Sequence, residues 1–181
     1  MSAFERGFYA RDAESVARDL LGSVLVHRHA GVERRARIVE TEAYVGVHDR
    51  ASHAARGRTP RTEVMFGPPG HAYIYLVYGM HELFNVVTGA AGDAQAVLIR
   101  AAEPLAHCTG PLNGPGRLTR ALGIDRSLNR EDLTGGRLFL EPGPSPARMV
   151  TTTRIGVDYA GPWKEAPLRF YDADSRAVSK R

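Results

Sequence analysis

A single α+β domain with a mainly antiparallel sheet, a protruding hairpin and peripheral helices is the fold class this sequence predicts. Three observations carry the prediction. The 181 residues fall in the range of about 100–200 expected of one domain, enough to bury roughly 70% of the unfolded surface around one core. Short runs with strand-like alternation outnumber helical ones, and turn formers separate them. No internal repeat or low-complexity linker divides the chain, so residues 1–181 read as one unit. The 43% hydrophobic and 24% charged fractions are those of a folded protein rather than a disordered one.

Asp12 can cap a helix running to Leu21, with Ala13, Val16, Ala17 and Leu20 on one face and Gly22 as terminator. Residues 23–28 read as a strand. Residues 36–44 form a second, in which alternation puts Ile38, Glu40, Glu42 and Tyr44 on one face and Val39, Thr41 and Ala43 on the other. Residues 46–70 hold four Gly and three Pro without sustained periodicity, the mark of a functional loop or a disordered one. A hairpin follows, with strands at 72–77 and 83–87 around a turn at Tyr78-Gly79-Met80-His81. Tyr73 and Tyr75 share a face, and Tyr78 sits at the tip. Residues 95–100 form a strand that Pro104 closes. Gly114-Pro115-Gly116 opens a short helix through Leu122, with Pro115 near its first position. A helical turn at 129–133 and strands at 137–140, 149–153 and 168–171 complete the prediction.

The net charge of +4 is concentrated. Seven arginines between Arg34 and Arg61 face only Glu40, Glu42 and Asp49, a pattern expected of a polyanion site. Of the 24 basic residues only Lys164 and Lys180 are lysine, which biased Arg usage across the chain would equally explain. The single Cys108 excludes an internal disulfide and a multi-cysteine zinc site, and the seven histidines form no metal-binding pair at helical spacing. No metal or cofactor is predicted. No apolar run approaches the ~18 residues of a membrane span, and Glu5 and Arg6 stand where a signal peptide needs its apolar stretch. A monomer in the cytoplasm, associated with the nucleoid and not with a membrane, is the expectation.

Two carboxylates and a phenol on one strand face have two readings. Glu40 and Glu42 can pair with Arg34, Arg35 or Arg37, or one of them can activate water as a general base. Tyr73 and Tyr75 can be core or platform. Tyr78 at a hairpin tip cannot easily bury itself, so it suits a wedge entering a base stack. Gly114 and Gly116 offer backbone N–H groups to a phosphate or simply form a turn.

The runs Arg37-Ile-Val-Glu-Thr-Glu-Ala-Tyr44, Met65-Phe-Gly-Pro-Pro-Gly-His-Ala-Tyr73-Ile-Tyr75-Leu-Val-Tyr78-Gly-Met80 and Val97-Leu-Ile-Arg100-Ala-Ala-Glu-Pro104 strongly resemble the alkyladenine (3-methyladenine) DNA glycosylase family. Matches continue in order at Asn113-Gly-Pro-Gly116, Ala121-Leu-Gly-Ile-Asp125, Arg154-Ile-Gly-Val157 and Pro167-Leu-Arg-Phe-Tyr171, so the resemblance spans about residues 7–171. It implies hydrolytic removal of alkylated or deaminated purines from double-stranded DNA. On that resemblance Glu42 is the general base and Arg100 an active-site arginine near the nucleophilic water, while Glu40 matches no catalytic position. Tyr44, His53 and Tyr75 line the pocket for the flipped base, Asn85 disfavours guanine, and Tyr78 fills the gap left in the duplex. Arg50, Arg56, Arg58 and Arg61 are then candidate phosphate contacts.

The shortage of lysine argues for a monofunctional enzyme, because a lyase step needs an amine to form a Schiff base. The rival expectation is a non-catalytic protein that binds damaged DNA. One departure from the family stands out: only residues 106–112 separate the Glu-Pro block from the Asn-Gly-Pro-Gly block, where relatives carry a longer segment.

Overall fold

The fold is seen in a computed structural model that describes residues 2–181. Eight strands form one antiparallel sheet: β1 (Val24–His29), β2 (Val32–Tyr44), β3 (Ala72–Val77), β4 (His81–Thr88), β5 (Gln95–Ala106), β6 (Leu138–Glu141), β7 (Met149–Thr152) and β8 (Arg169–Asp172). The strand order is β3-β4-β5-β2-β1-β6, and the β7–β8 pair joins through β8. The thirteen-residue β2 is the spine. Along one edge it pairs with β5, and along the other with β1 through its first half and with β8 at Glu40–Glu42.

Among the described residues three α-helices, α1 (Arg6–Tyr9), α2 (Ala13–Asp19) and α3 (Pro115–Leu122), pack against the sheet around the main core. Asp12 caps α2 as predicted, its carboxylate accepting from the Ser15 N–H at 2.8 Å. Val16 from α2, Leu20 just after it, and Leu118 and Leu122 from α3 meet Ile38, Phe84, Ile99 and Phe170 of the sheet in the main core. On the opposite face a smaller cluster joins Tyr73, Val87 and Ala96 to Ala54, Val64 and Met65 of the long loop. The loop is therefore built rather than loose, with single turns of 3-10 helix at His53–Arg56 and Glu63–Phe66.

Three predicted details need correction. Pro104 does not close β5, which runs to Ala106; Pro104 lies opposite Ala36 beside a register shift, where a missing N–H is tolerated. The turn expected at 129–133 lies earlier, at Arg126–Leu128, held by the Asp125 carboxylate on the Ser127 N–H. Most consequential, Ile38 does not share a face with Glu42. Ile38 and Ala43 both enter the main core, so alternation breaks between them. The register explains how: Ile38 faces Ala102, Glu40 faces Ala101 and Thr41 faces Ile99, which leaves Val39 extra on β2 and Arg100 extra on β5. Two opposed bulges restore register after one residue and turn Glu40, Glu42 and Arg100 toward the loop side, a common device beside functional sites.

Candidate active site

Strand register assembles the site. Tyr73 pairs with Asn85, Asn85 with Leu98 and Leu98 with Glu42, so one row crosses β3, β4, β5 and β2. Above that row lies a cavity of about 430 Å³ walled by Tyr44, His53, Tyr75, Asn85 and Arg100, with Tyr78 at its rim. All four residues expected in a base pocket line it. Cavities of this size ordinarily hold small planar or drug-sized ligands.

Glu42 is fully buried just beneath this lining. Its Oε1 accepts the Ile155 N–H at 2.8 Å and lies 3.4 Å from Arg100 Nη1. Its Oε2 accepts the Tyr44 hydroxyl at 2.8 Å. Burial, reinforced by the nearby carboxylate, raises the Tyr44 phenol well above its ordinary pKa, so Tyr44 remains a protonated donor. Glu40, equally buried, does not line the cavity and has other partners: it accepts from Arg169 Nη1 at 2.9 Å and from the Ser179 N–H at 2.6 Å. The two carboxylates that sequence spacing left equivalent thus have different surroundings.

The aromatic wall is a packed unit. The rings of His53 and Tyr75 meet edge to face with centroids 4.6 Å apart, and those of Tyr73 and Tyr75 lie tilted at 40° with centroids 5.2 Å apart. His53 Nδ1 and the Tyr73 hydroxyl share a hydrogen bond of 2.9 Å. The Arg61 guanidinium lies 5.1 Å from the Tyr75 ring centroid, within cation–π range. Burial, with Arg61 and Arg56 adding to it, lowers the His53 pKa from 6.5 to about 4, so the imidazole is neutral at physiological pH.

Because the unfolded chain binds this proton more readily, His53 costs stability as pH falls from about 6.5 toward 4 and costs nothing above that window. Replacing Arg61 with Gln removes one source of the depression. An NMR titration should then show the His53 pKa moving back toward 6.5; an unchanged value would assign the whole effect to burial.

Tyr78 is 91% exposed at the hairpin tip, next to Met80. Tyr78 and Gly79 both have positive φ, 52° and 67°, as a type I′ turn requires. Glycine meets that requirement freely. Tyrosine does so under strain, and strained backbone concentrates at functional positions. Where β4 leaves the hairpin tip, a Cβ on Gly116 would lie 3.1 Å from the His81 ring, so this glycine lets α3 pack closely on β4.

The basic window divides in two. Arg35 pairs with Glu33 and Glu141, and Arg37 with Glu103 and Asp172, within surface ion-pair networks away from the cavity. Arg50, Arg56, Arg58 and Arg61 lie exposed on the loop beside it, although Arg58 also approaches Glu63 at 3.5 Å and the Phe66 ring at 5.1 Å.

Sequence reasoning missed the support beneath Tyr44. Arg154 and Asp49, both fully buried, form a two-pronged pair at 2.6 and 3.0 Å. Arg154 also donates to the Ala43 carbonyl at 2.9 Å and stacks 4.8 Å from the Tyr44 ring centroid. The adjacent Ile155 supplies the N–H that holds Glu42. Arg154 stands in a family-like block, which was the available signal, but nothing local in sequence links it to Asp49. Among the described residues, no group of three or more His, Cys, Asp or Glu is arranged to hold a metal, and no helix is long and apolar enough to cross a membrane.

The site is thus an aromatic cavity over a buried carboxylate, with an exposed tyrosine on a strained hairpin at its rim. Sequence comparison supplies the family. The profile of the Methylpurine-DNA glycosylase (MPG) family matches residues 7–176. A relative from Anaeromyxobacter dehalogenans (strain 2CP-C) is 56% identical over 97% of this chain and 86% of its own length. One from Myxococcus xanthus is 54% identical over 99% and 95%, and one from Legionella pneumophila (strain Lens) 48% identical over 99% and 100%. All three bear the provisional name 3-methyladenine DNA glycosylase. The chain belongs to the methylpurine-DNA glycosylase family, and so to the DNA repair enzymes that hydrolyse N-glycosyl bonds in base excision repair.

Proposed function

We propose that this protein flips an alkylated or deaminated purine out of double-stranded DNA and hydrolyses its N-glycosidic bond with Glu42 as general base, leaving an abasic site. The observation that carries the reading is the position of Glu42, held by the Ile155 N–H, Tyr44 and Arg100, three residues that line the aromatic cavity directly above it. A base inside a duplex is out of reach, so it must leave the stack. Tyr78 then occupies the gap, offsetting part of an unstacking cost of a few kcal/mol per step.

In the pocket, the purine packs against Tyr44, Tyr75 and His53. An alkylated, cationic ring is favoured there by the aromatic faces, and a neutral His53 adds no repelling charge. Asn85, whose Nδ2 donates to the Tyr73 carbonyl at 3.1 Å, meets the edge of the base and disfavours guanine. As the purine departs, positive charge develops on the sugar. One carboxylate can then take a proton from the attacking water and stabilise that charge, with Arg100 orienting the water. The loop arginines Arg50, Arg56, Arg58 and Arg61, and the amides at Gly114 and Gly116, contact phosphates. Hypoxanthine and ethenoadenine, which are neutral, are the further substrates this pocket would admit.

Neither lysine lines the cavity, so hydrolysis should stop at base removal. A duplex bearing one alkylated adenine should break at the lesion only after alkali treatment, and borohydride should trap no enzyme–DNA adduct. Breakage without alkali, together with a trapped adduct, would overturn the monofunctional assignment.

A further inference from the structure

Glu40 is a fully buried carboxylate that the mechanism above leaves unused. It lies one register step from Glu42 with no exposed surface, where an ionised group is tolerated only if well partnered. Arg169 Nη1 lies 2.9 Å from Oε1, and Oε2 accepts the Ser179 N–H at 2.6 Å. Arg169 also donates to the Lys180 carbonyl at 2.8 Å, so residues 179–180 are tied into the same cluster.

The remaining neighbour of Glu40 is Arg100. Its Nε lies 3.4 Å from Glu40 Oε1, while its Nη1 lies 3.4 Å from Glu42 Oε1. One guanidinium thus bridges two carboxylates, on a bulge that leaves Arg100 unpaired in the ladder. The same Nε is buried and makes no hydrogen bond within normal geometry among the described residues. Its orientation is therefore set by charge more than by a directed bond.

We propose that Glu40 is a positioning residue for the reaction: braced by Arg169 and the Ser179 N–H, it aims the Arg100 guanidinium at the water that Glu42 activates. This inference rests on the assignment of Glu42 and Arg100 above. Arg100 held by Glu42 alone could rotate away as Glu42 changes its charge while taking a proton. A second, non-reacting carboxylate fixes the guanidinium throughout, the preorganisation that makes an electrostatic contribution effective.

The test compares Glu40→Gln, Ser179→Pro and Ser179→Ala with the unmodified protein on a duplex bearing one alkylated adenine. Single-turnover release at saturating enzyme and affinity for the lesion duplex are measured separately. Glu40→Gln is expected to slow release at least tenfold while affinity changes less than threefold, and to shift the Arg100 Nε–H resonance in 15N-labelled protein. Ser179→Pro, which deletes the N–H that braces Glu40, should slow release threefold or more beyond Ser179→Ala, which retains it. Should Glu40→Gln prove unstable, the Ser179 pair decides the question alone.

Release within twofold of wild type in both Glu40→Gln and Ser179→Pro would overturn the proposal, as would equal losses in rate and affinity with no shift at Arg100. Glu42→Gln measured alongside separates the two ideas. If it is inactive while the other variants are active, only the role of Glu40 fails; if it is active, the assignment of Glu42 fails first.

Discussion

Glu42→Gln is expected to slow single-turnover base release by about 10²–10⁴-fold, the usual contribution of a positioned general base. Glutamine preserves shape and can still accept the Ile155 N–H through its amide oxygen, but it cannot take the proton from water. Its amide nitrogen can meet the Tyr44 hydroxyl, so the wall of the cavity should persist. Binding to damaged DNA should accordingly be retained while chemistry stops. Release at the wild-type rate would show that another group activates the water.

Arg154→Ala carries the largest expected cost in stability, about 3–5 kcal/mol, because it strands the fully buried Asp49 carboxylate without its cationic partner. For a domain of this length that corresponds to a fall in melting temperature of roughly 6–20 °C, readable by thermal unfolding. The effect should reach the site by two routes: Tyr44 loses the guanidinium behind its ring, and the segment carrying the Ile155 N–H loses its anchor. Arg154→Lys keeps the charge but not the paired geometry, so it should fall between wild type and Ala. A melting temperature unchanged in Arg154→Ala would remove the pair from the account.

Elements with local signals were the ones legible in sequence. Asp12 beside a 3.6-residue apolar pattern placed α2, and Tyr78-Gly79 between alternating runs placed the hairpin and its exposed tip. The row of site residues was partly legible, since Glu42, Tyr44 and Tyr75 each lie on strands whose alternation could be read. The paired bulges at Val39 and Arg100 were not, because neither position carries the glycine or proline that usually announces a break in register. Without them Ile38 was placed on the wrong face. The bridges that hold the site, Asp49 to Arg154 and Glu40 to Arg169, join residues more than 100 positions apart, and nothing in a local window connects such partners. The expectation that Pro104 would end β5 applied a rule for regular ladders to a position beside an irregular one.

The most direct test of the central claim is to identify what the wild-type protein releases from a duplex with one alkylated adenine, by mass spectrometry of the small-molecule fraction and of the strand left behind. The account predicts the free modified base, together with a full-length strand carrying an abasic sugar. Recovery of a modified nucleoside or nucleotide, or of an untouched lesion strand from protein that binds it tightly, would contradict hydrolysis of the N-glycosidic bond in this pocket.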